Sequence, residues 1–501
     1  MQSLVIFSFT IIIIMKNNLN TISGRKNAFE NLSQSIIFKN KILIIGCGSI
    51  GPALLPLLIK FIIIPPSNII VCDKNKNRFE KISQFISLGV KTVHDKINKN
   101  NMHNIIINKL KFGQDDIIID AAYEINTEFM FSLCESNGIS YINSSVEIWE
   151  KEPIMKEIDY TFYNRFLNIE AKNKINIKKK NNFIVSLGCN PGNVNIWTLY
   201  ALEKINKEKK KFAYNTYAEL AQLMGLKTIH ISEKDTQIIS KPKKENEYVN
   251  SWSTDSISWY DEAFSFLEIS WGTHESKLPE NTIQKLSNEY QIIVNNVGCE
   301  TFANTYTPIS KNIIGMIIRH EESYTICKAL TIKDSTNKII YKPSVYYIYK
   351  PNDSAMASTM EAMANDYQKQ PTVRLMTNDI IEGRDEIGVT LYFEDGDIYW
   401  IGSLLDIKEA RLLYDNQYNN IINSTIVQVV SGYISGIFYL IELINQKKYQ
   451  GLIFPEDLPI SLFIKKTRPM LGPFGLIKVN DWDVECANPN NKWQYHDFYR
   501  N

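Results

Sequence analysis

Lys41-Ile42-Leu43-Ile44-Ile45-Gly46-Cys47-Gly48-Ser49-Ile50-Gly51 is the stretch on which the fold turns. Lys41 to Ile45 is a short, apolar, β-branched run of the kind that forms a buried strand. Gly46, Gly48 and Gly51 follow at GxGxxG spacing, and Ala53 to Phe61 continues as an apolar helix until Pro65-Pro66 turns the chain out. Each glycine then has a task. The first makes a tight turn, the second lets backbone approach a pyrophosphate, and the third lets helix and strand pack closely. The helix N-terminus adds partial positive charge facing the phosphates. A second apolar strand, Asn68 to Cys72, ends at Asp73. A carboxylate about twenty residues past the glycines accepts hydrogen bonds from ribose hydroxyls and repels a 2′-phosphate. Gly46, Gly48, Ser49, Ile50, Gly51 and Asp73 are therefore the candidate cofactor residues, with NAD favoured over NADP. Cys47 fits as a small residue between glycines rather than as a nucleophile.

Outward from this unit the strand and helix signals alternate. They predict a helix at Phe79 to Leu88, a weak strand at Lys91 to Val93 and a strand at Asp116 to Asp120. Next come a helix at Thr127 to Asn137, a strand at Ser140 to Asn143, a basic helical stretch at Asn168 to Asn182 and a strand at Phe183 to Leu187. Such alternation predicts an α/β fold, a Rossmann-type doubly wound parallel sheet. From about Pro191 the alternation stops. A helix at Val194 to Ile205 precedes strand-like runs at Tyr290 to Val297, Ile313 to Arg319, Ser344 to Tyr349 and Gly388 to Phe393. These predict a second, α+β domain with a mostly antiparallel sheet. Ile421 to Ile444 reads as a long apolar helix, and the Pro-rich tail from Gly451 as irregular. The expected organisation is an N-terminal extension (1–40), an NAD-binding domain (41–190), a substrate-binding and dimerisation domain (191–420), and a C-terminal helix and tail (421–501) packing back on the first domain.

Composition narrows the function class. Among 501 residues, 55 basic against 54 acidic side chains leave no global field for nucleic acid or an anionic membrane. Seven scattered cysteines without a CxxC pair speak against a disulfide framework and against a structural zinc. They fit reduced thiols of a cytoplasmic enzyme without a metal. The apolar run Leu4 to Met15 is shorter than a membrane span needs and lacks the basic n-region of a secretory signal. Met15 stands as an alternative start to Met1.

Several further segments carry a resemblance. They are Gly188-Cys189-Asn190-Pro191-Gly192, the run from Gly225 to Gln237 containing Ser232-Glu233-Lys234-Asp235, and Asn250-Ser251-Trp252-Ser253. Trp271-Gly272-Thr273, Arg319-His320-Glu321-Glu322-Ser323 and the run from Ile380 to Gly388 complete the set. With the glycine loop, their order and spacing resemble homospermidine synthase from about Lys41 to the C-terminus, with saccharopine reductase-like enzymes as more distant relatives. The resemblance implies a homodimer that holds NAD as a prosthetic group. It implies oxidation of putrescine to an imine, exchange of the imine with a second diamine, release of ammonia, and reduction of the new Schiff base by the retained hydride. With spermidine as donor, 1,3-diaminopropane leaves instead.

The resemblance also assigns residues. Glu233 binds or deprotonates the reacting amine, and Trp252 offers its face to an ammonium or iminium by cation–π attraction. Glu262, with Asp261 as the neighbouring alternative, pairs with an amino group. His320 relays protons. Position adds two more: Asn190, at the carboxyl end of the last strand of the sheet, would hold the nicotinamide or the amine, and Glu147, at a similar strand end, an outer amine. Asp385 is left to packing or dimer contact, His230, Trp259 and Trp271 to packing, and an acid near Tyr123-Glu124 stays unassigned. Two rivals remain. A saccharopine- or carboxynorspermidine-type dehydrogenase would need an Arg or Lys clamp for a carboxylated Schiff base, and a redox sensor would need no acid cluster.

Overall fold

The structure, a computed structural model, describes residue 19 and residues 21–32, 36–149, 160–175, 179–285, 287–482, 484, 486, 488 and 491–500. The apolar run Leu4 to Met15 lies outside them.

β1 (Ile42–Ile45), β2 (Ile69–Asp73), β3 (Lys91–His94), β4 (Ile117–Asp120), β5 (Ser140–Asn143) and β6 (Asn182–Ile184) form a sheet in the order β3-β2-β1-β4-β5-β6. Every pairing is parallel. This is the strand order of a doubly wound dinucleotide-binding sheet, with its switch point between β1 and β4. All four residues of β1 are buried, as expected for a strand covered on both faces. The Gly451–Ile453 strand adds in parallel beside β6. The second half of the chain thus returns to the first sheet.

The second sheet is built from β7 (Leu226–Asp235), β8 (Phe266–Ser270), β9 (Gln291–Val297), β10 (Phe302–Thr307), β11 (Lys311–Ile318), β12 (Ser344–Lys350), β13 (Arg384–Phe393) and β14 (Ile398–Asp406). With the Phe474–Lys478 strand beside β14 and the Tyr499–Arg500 strand beside β10 it has ten strands; its main path between them runs β14-β13-β7-β12-β11-β10, with β8 and β9 joined through β12. Only the β7–β12 pairing among these is parallel. The α/β class and the mostly antiparallel second sheet follow the expectation from sequence.

Three local expectations differ. Phe79 to Leu88 is not one helix but the end of a 3₁₀ turn, Lys76–Ile82, followed by a short helix, Ser83–Ser87. The basic stretch is helical earlier, over Phe162–Ile175, because Phe162, Arg165, Phe166 and Ile169 give that segment one buried face. The tail is ordered rather than irregular. Besides Gly451–Ile453 it holds the helix Ile460–Thr467 and the strand Phe474–Lys478, and Pro455 and Pro459 sit at turn starts, where a missing amide costs nothing.

The long apolar helix, Ser424–Asn445, has the length and apolarity of a membrane span, yet 83% of its most apolar window is buried within the protein. It packs beside the glycine-loop helix Ile50–Phe61, with Phe438 edge-on to Phe61 at 6.2 Å.

Candidate active site

The glycine loop is built as its sequence demands. Gly46 has φ +104°, and a Cβ there would lie 2.6 Å from the Ala121 carbonyl oxygen. A Cβ on Gly51 would lie 2.0 Å from the Gly46 carbonyl oxygen. Neither position admits a side chain. Asp73 closes β2 and is tied down: its Oδ2 accepts the Cys47 amide at 2.6 Å and faces Arg78 at 3.4 Å, and its Oδ1 accepts the Asn75 amide at 2.7 Å. Burial pushes the Cys47 thiol up to about 12, so no thiolate forms at neutral pH. One cavity runs over Gly46, Gly48 and Ser49 to Asp73 and is roofed by Ser253, Thr254 and Asp255. It shares Ser49, Ala121, Ala122 and Tyr123 with a second cavity farther along the crevice. A dinucleotide fits this groove: backbone stripped of side chains for the pyrophosphate, a fixed carboxylate for the ribose, and room beyond Ser49 for the second ring.

The second cavity brings together every residue expected at the reacting end. Ser49, Ile50, Glu147, Asn190, Glu233, Trp252, Glu262 and His320 all line it. Glu233 is on β7, the strand beside β12, and alternation turns Ile229, Ile231, Glu233 and Asp235 to one face. His230 and Ser232 face the other way, and His230 is enclosed by Tyr346, Tyr392 and Phe498. Glu233 Oε2 accepts from Tyr347 Oη at 2.7 Å and from Asn190 Nδ2 at 3.1 Å. Asn190 comes from the Gly188–Gly192 turn beyond β6. His320 precedes the helix Glu321–Ala329, where Glu321 and Glu322 occupy the favourable first turn. Its Nδ1 meets Glu322 Oε2 at 2.5 Å, and its Nε2 faces Glu262 Oε2 at 4.0 Å. Trp252 lies 5.0 Å from Trp259 and 5.9 Å from Tyr349.

The adjacent pair Asp261 and Glu262 divides its work. Asp261 bridges Arg165 at 2.9 Å and Arg319 at 2.6 Å, while Glu262 lines the cavity. Arg319 is fully buried and its guanidinium also lies over Phe162 and Phe266. Among the described residues, no lysine or arginine lines the cavity.

Burial governs the electrostatics. It pushes Glu233 up to about 7, against the opposing pull of the Tyr347 hydrogen bond and the nearby His320. Burial likewise pushes Glu262 to about 7 and Glu147 to about 8, with His320 and Arg165 respectively pulling back. For His320 burial disfavours the imidazolium, but Glu322, Glu262 and Glu321 outweigh it and raise the ring to about 9. Glu233 is buried, and Glu147 and Glu262 are half-buried in the cavity wall; acids withdrawn from water in this way are ionised more easily beside a cation.

Sequence reasoning missed part of the wall. Tyr347 and Tyr349 lie in the strand-like run Ser344 to Tyr349, whose pattern does not mark them as cavity residues. Trp259, left to packing, lines the cavity beside Trp252. Glu321 does too, overshadowed by His320 in the same motif. Asp385 is wholly buried, with Oδ2 accepting from Thr425 at 2.8 Å, so its carboxyl makes no surface contact. Glu124 lines the cofactor groove and Tyr123 both cavities. Trp271 packs on Tyr495.

A doubly wound sheet whose switch-point crevice opens onto buried acids and aromatic rings defines a dinucleotide-dependent enzyme for a small molecule. Residues 42–199 match the saccharopine dehydrogenase NADP-binding domain and residues 188–470 the saccharopine dehydrogenase C-terminal domain, so the chain belongs to the saccharopine dehydrogenase family. It is 27% identical to the homospermidine synthase of Blastochloris viridis over 89% of this chain and 93% of that protein. It is also 27% identical to that of Mesorhizobium japonicum, over 86% and 89%. The solved homospermidine synthase of Legionella pneumophila in complex with NAD superposes with a TM-score of 0.82 at 29% identity, covering 93% of this chain and 99% of that one. The resemblance drawn from the motifs is borne out.

Proposed function

We propose that this chain is a homospermidine synthase, transferring an aminobutyl group from putrescine or spermidine to a second diamine. One observation carries the proposal: the cavity at the end of the cofactor groove is lined by Glu147, Glu233, Glu262 and Trp252 and, among the described residues, by no lysine or arginine. A diamine is a dication at neutral pH, and enclosing it requires paired carboxylates and aromatic faces. Among the described residues, a carboxylated Schiff base would meet no guanidinium or ammonium there, only the His320 imidazolium already engaged by Glu322 and Glu262, so the dehydrogenase alternative lacks its bidentate clamp.

NAD, which the glycine loop and Asp73 would hold, would supply reversible hydride chemistry at the amine-bearing carbon. The protein supplies the rest. Asp73, fixed by the Cys47 and Asn75 amides, would accept hydrogen bonds from the ribose hydroxyls of NAD. Glu233, near 7, is matched to take a proton from the reacting ammonium, since only a neutral amine gives up hydride readily. Tyr347 and Asn190 orient its Oε2. Trp252, braced by Trp259 and Tyr349, offers a π face to the iminium, a contribution of about 2 kcal/mol when desolvated. Glu262 holds a distal ammonium group, and Glu147, pushed up to about 8 by burial, lines the wall mainly in its neutral form at pH 7. His320, oriented through Nδ1 by Glu322, presents Nε2 for proton transfer.

The test is incubation of the purified protein with putrescine as sole substrate and no added reductant. A triamine and ammonia are expected in equal amounts. Product formed only with stoichiometric NADPH and a carboxylated partner would select the dehydrogenase instead.

A further inference from the structure

One hydroxyl on the cavity wall stands between two carboxyl groups. Ser145 Oγ lies 2.6 Å from Glu147 Oε1 and 3.0 Å from Glu321 Oε1, and all three side chains line the cavity. A serine carries a single hydroxyl hydrogen. If both acids were ionised, one would face only the lone pairs of Ser145, a repulsive contact for a half-buried carboxylate. If the two acids hold one proton between them, the chain closes: the protonated acid donates to Ser145, and Ser145 donates to the other. Glu321 is the better anion, because its Oε1 also accepts the Val146 amide at 2.5 Å and its Oε2 accepts from Ser186. The proton then rests on Glu147, where burial already favours it. Arg165 and Asp261 act on Glu147, and His320 acts on Glu321, which in turn raises Glu262.

We propose that Ser145 joins Glu147 and Glu321 into a single proton store serving the amine-exchange step. This rests on the function proposed above. In that step the attacking diamine forms a carbon–nitrogen bond to the iminium carbon and the original nitrogen leaves. Iminium plus substrate ammonium become a substituted iminium plus free ammonium, so the attacking nitrogen must lose protons and the departing one must gain them. No electrons change hands and no proton is gained or lost overall. The store gives its proton from Glu147 to the departing nitrogen and is refilled from the attacking one, with Ser145 turning its hydrogen between the two acids. A closed cycle of this kind needs no path to solvent.

The experiment uses the NAD-loaded protein and the variants Ser145→Ala, Ser145→Thr, Glu321→Gln and Glu147→Gln. Ser145→Ala should keep its NAD, lose turnover with putrescine about a hundredfold, and lose the ionisation near pH 8 from its rate profile. Ser145→Thr should restore both. Ser145→Ala combined with Glu321→Gln should be no worse than either alone, since both break one unit. Infrared difference spectra at pH 7 should show a protonated carboxyl that Glu147→Gln removes and Ser145→Ala shifts. If triamine forms normally but Ser145→Ala changes neither profile nor spectrum, or if the losses multiply, the store is overturned. If the wild-type protein makes no triamine while the infrared band behaves as described, the shared proton stands and the transferase function falls.

Discussion

Glu233 concentrates the chemistry at the scale of single residues. An isolated glutamate is more often a solvated surface charge, and only its surrounding motif argued otherwise. In the fold it is 3% exposed, flanked by Tyr347 and Asn190. Glu233→Gln should retain bound NAD and lose turnover by a factor on the order of 10² to 10⁴. Full activity in that variant would remove the carboxylate from the mechanism. Asp73→Ala should instead shed NAD on dialysis, read from the ultraviolet spectrum. The raised ionisations make a further prediction. Glu233 and Glu262 near 7, Glu147 near 8 and His320 near 9 all bind protons more tightly folded than unfolded. Their stabilising contribution is complete below the unfolded values of about 4.5 for Glu and 6.5 for His, and is lost as pH rises through 7 to 9. The melting temperature without substrate should therefore fall across that window. The rise given by putrescine, which favours ionised acids, should be larger at pH 8.5 than at pH 6. A putrescine shift independent of pH would mean that these carboxyls do not meet the diamine. The signal for Asn190, Trp252, Glu262 and His320 lay in short motifs. Tyr347, Tyr349 and Trp259 carried none, because aromatic residues inside a strand or a short helix look the same whether they face core or cavity.

At the scale of elements, the parallel sheet was readable because its strands are short apolar runs between helices, and β1 to β6 lie within a few residues of the predicted runs. β7 was harder. His230, Glu233, Lys234 and Asp235 interrupt its apolar pattern, so a central strand read as a polar motif. The tail deceived through its prolines, which mark turns between short ordered pieces. The Ser424–Asn445 helix does more than fill the core. A Cβ on Gly432 would lie 2.1 Å from the Gly188 carbonyl oxygen, in the turn that carries Asn190. Gly432→Ala should therefore push that turn away, destabilise the protein by about 1–3 kcal/mol, and slow turnover while leaving Asp73 and NAD retention intact. Denaturant unfolding and the NAD content of the purified variant check both parts. An alanine variant with unchanged stability and rate would show that the helix does not position Asn190.

At the scale of the molecule, the two sheets meet where the reaction must occur. The parallel sheet contributes Ser49, Glu147 and Asn190, and the second half of the chain contributes Glu233, Trp252, Glu262 and His320. Neither half holds a complete site. The sequence made both halves legible as classes, but their apposition follows from pairings such as Gly451–Ile453 beside β6, which no local pattern announces. The central claim is that a polycation and a retained hydride meet in this one acid-lined cavity. Putrescine carrying deuterium on its terminal carbons, given to the NAD-loaded protein in the presence of unlabelled NADH, measures this directly. Each triamine should keep all of that deuterium, the atom removed in oxidation having returned to the newly bonded carbon. Replacement of one deuterium per molecule by hydrogen would show that the hydride leaves the site, and would contradict the claim.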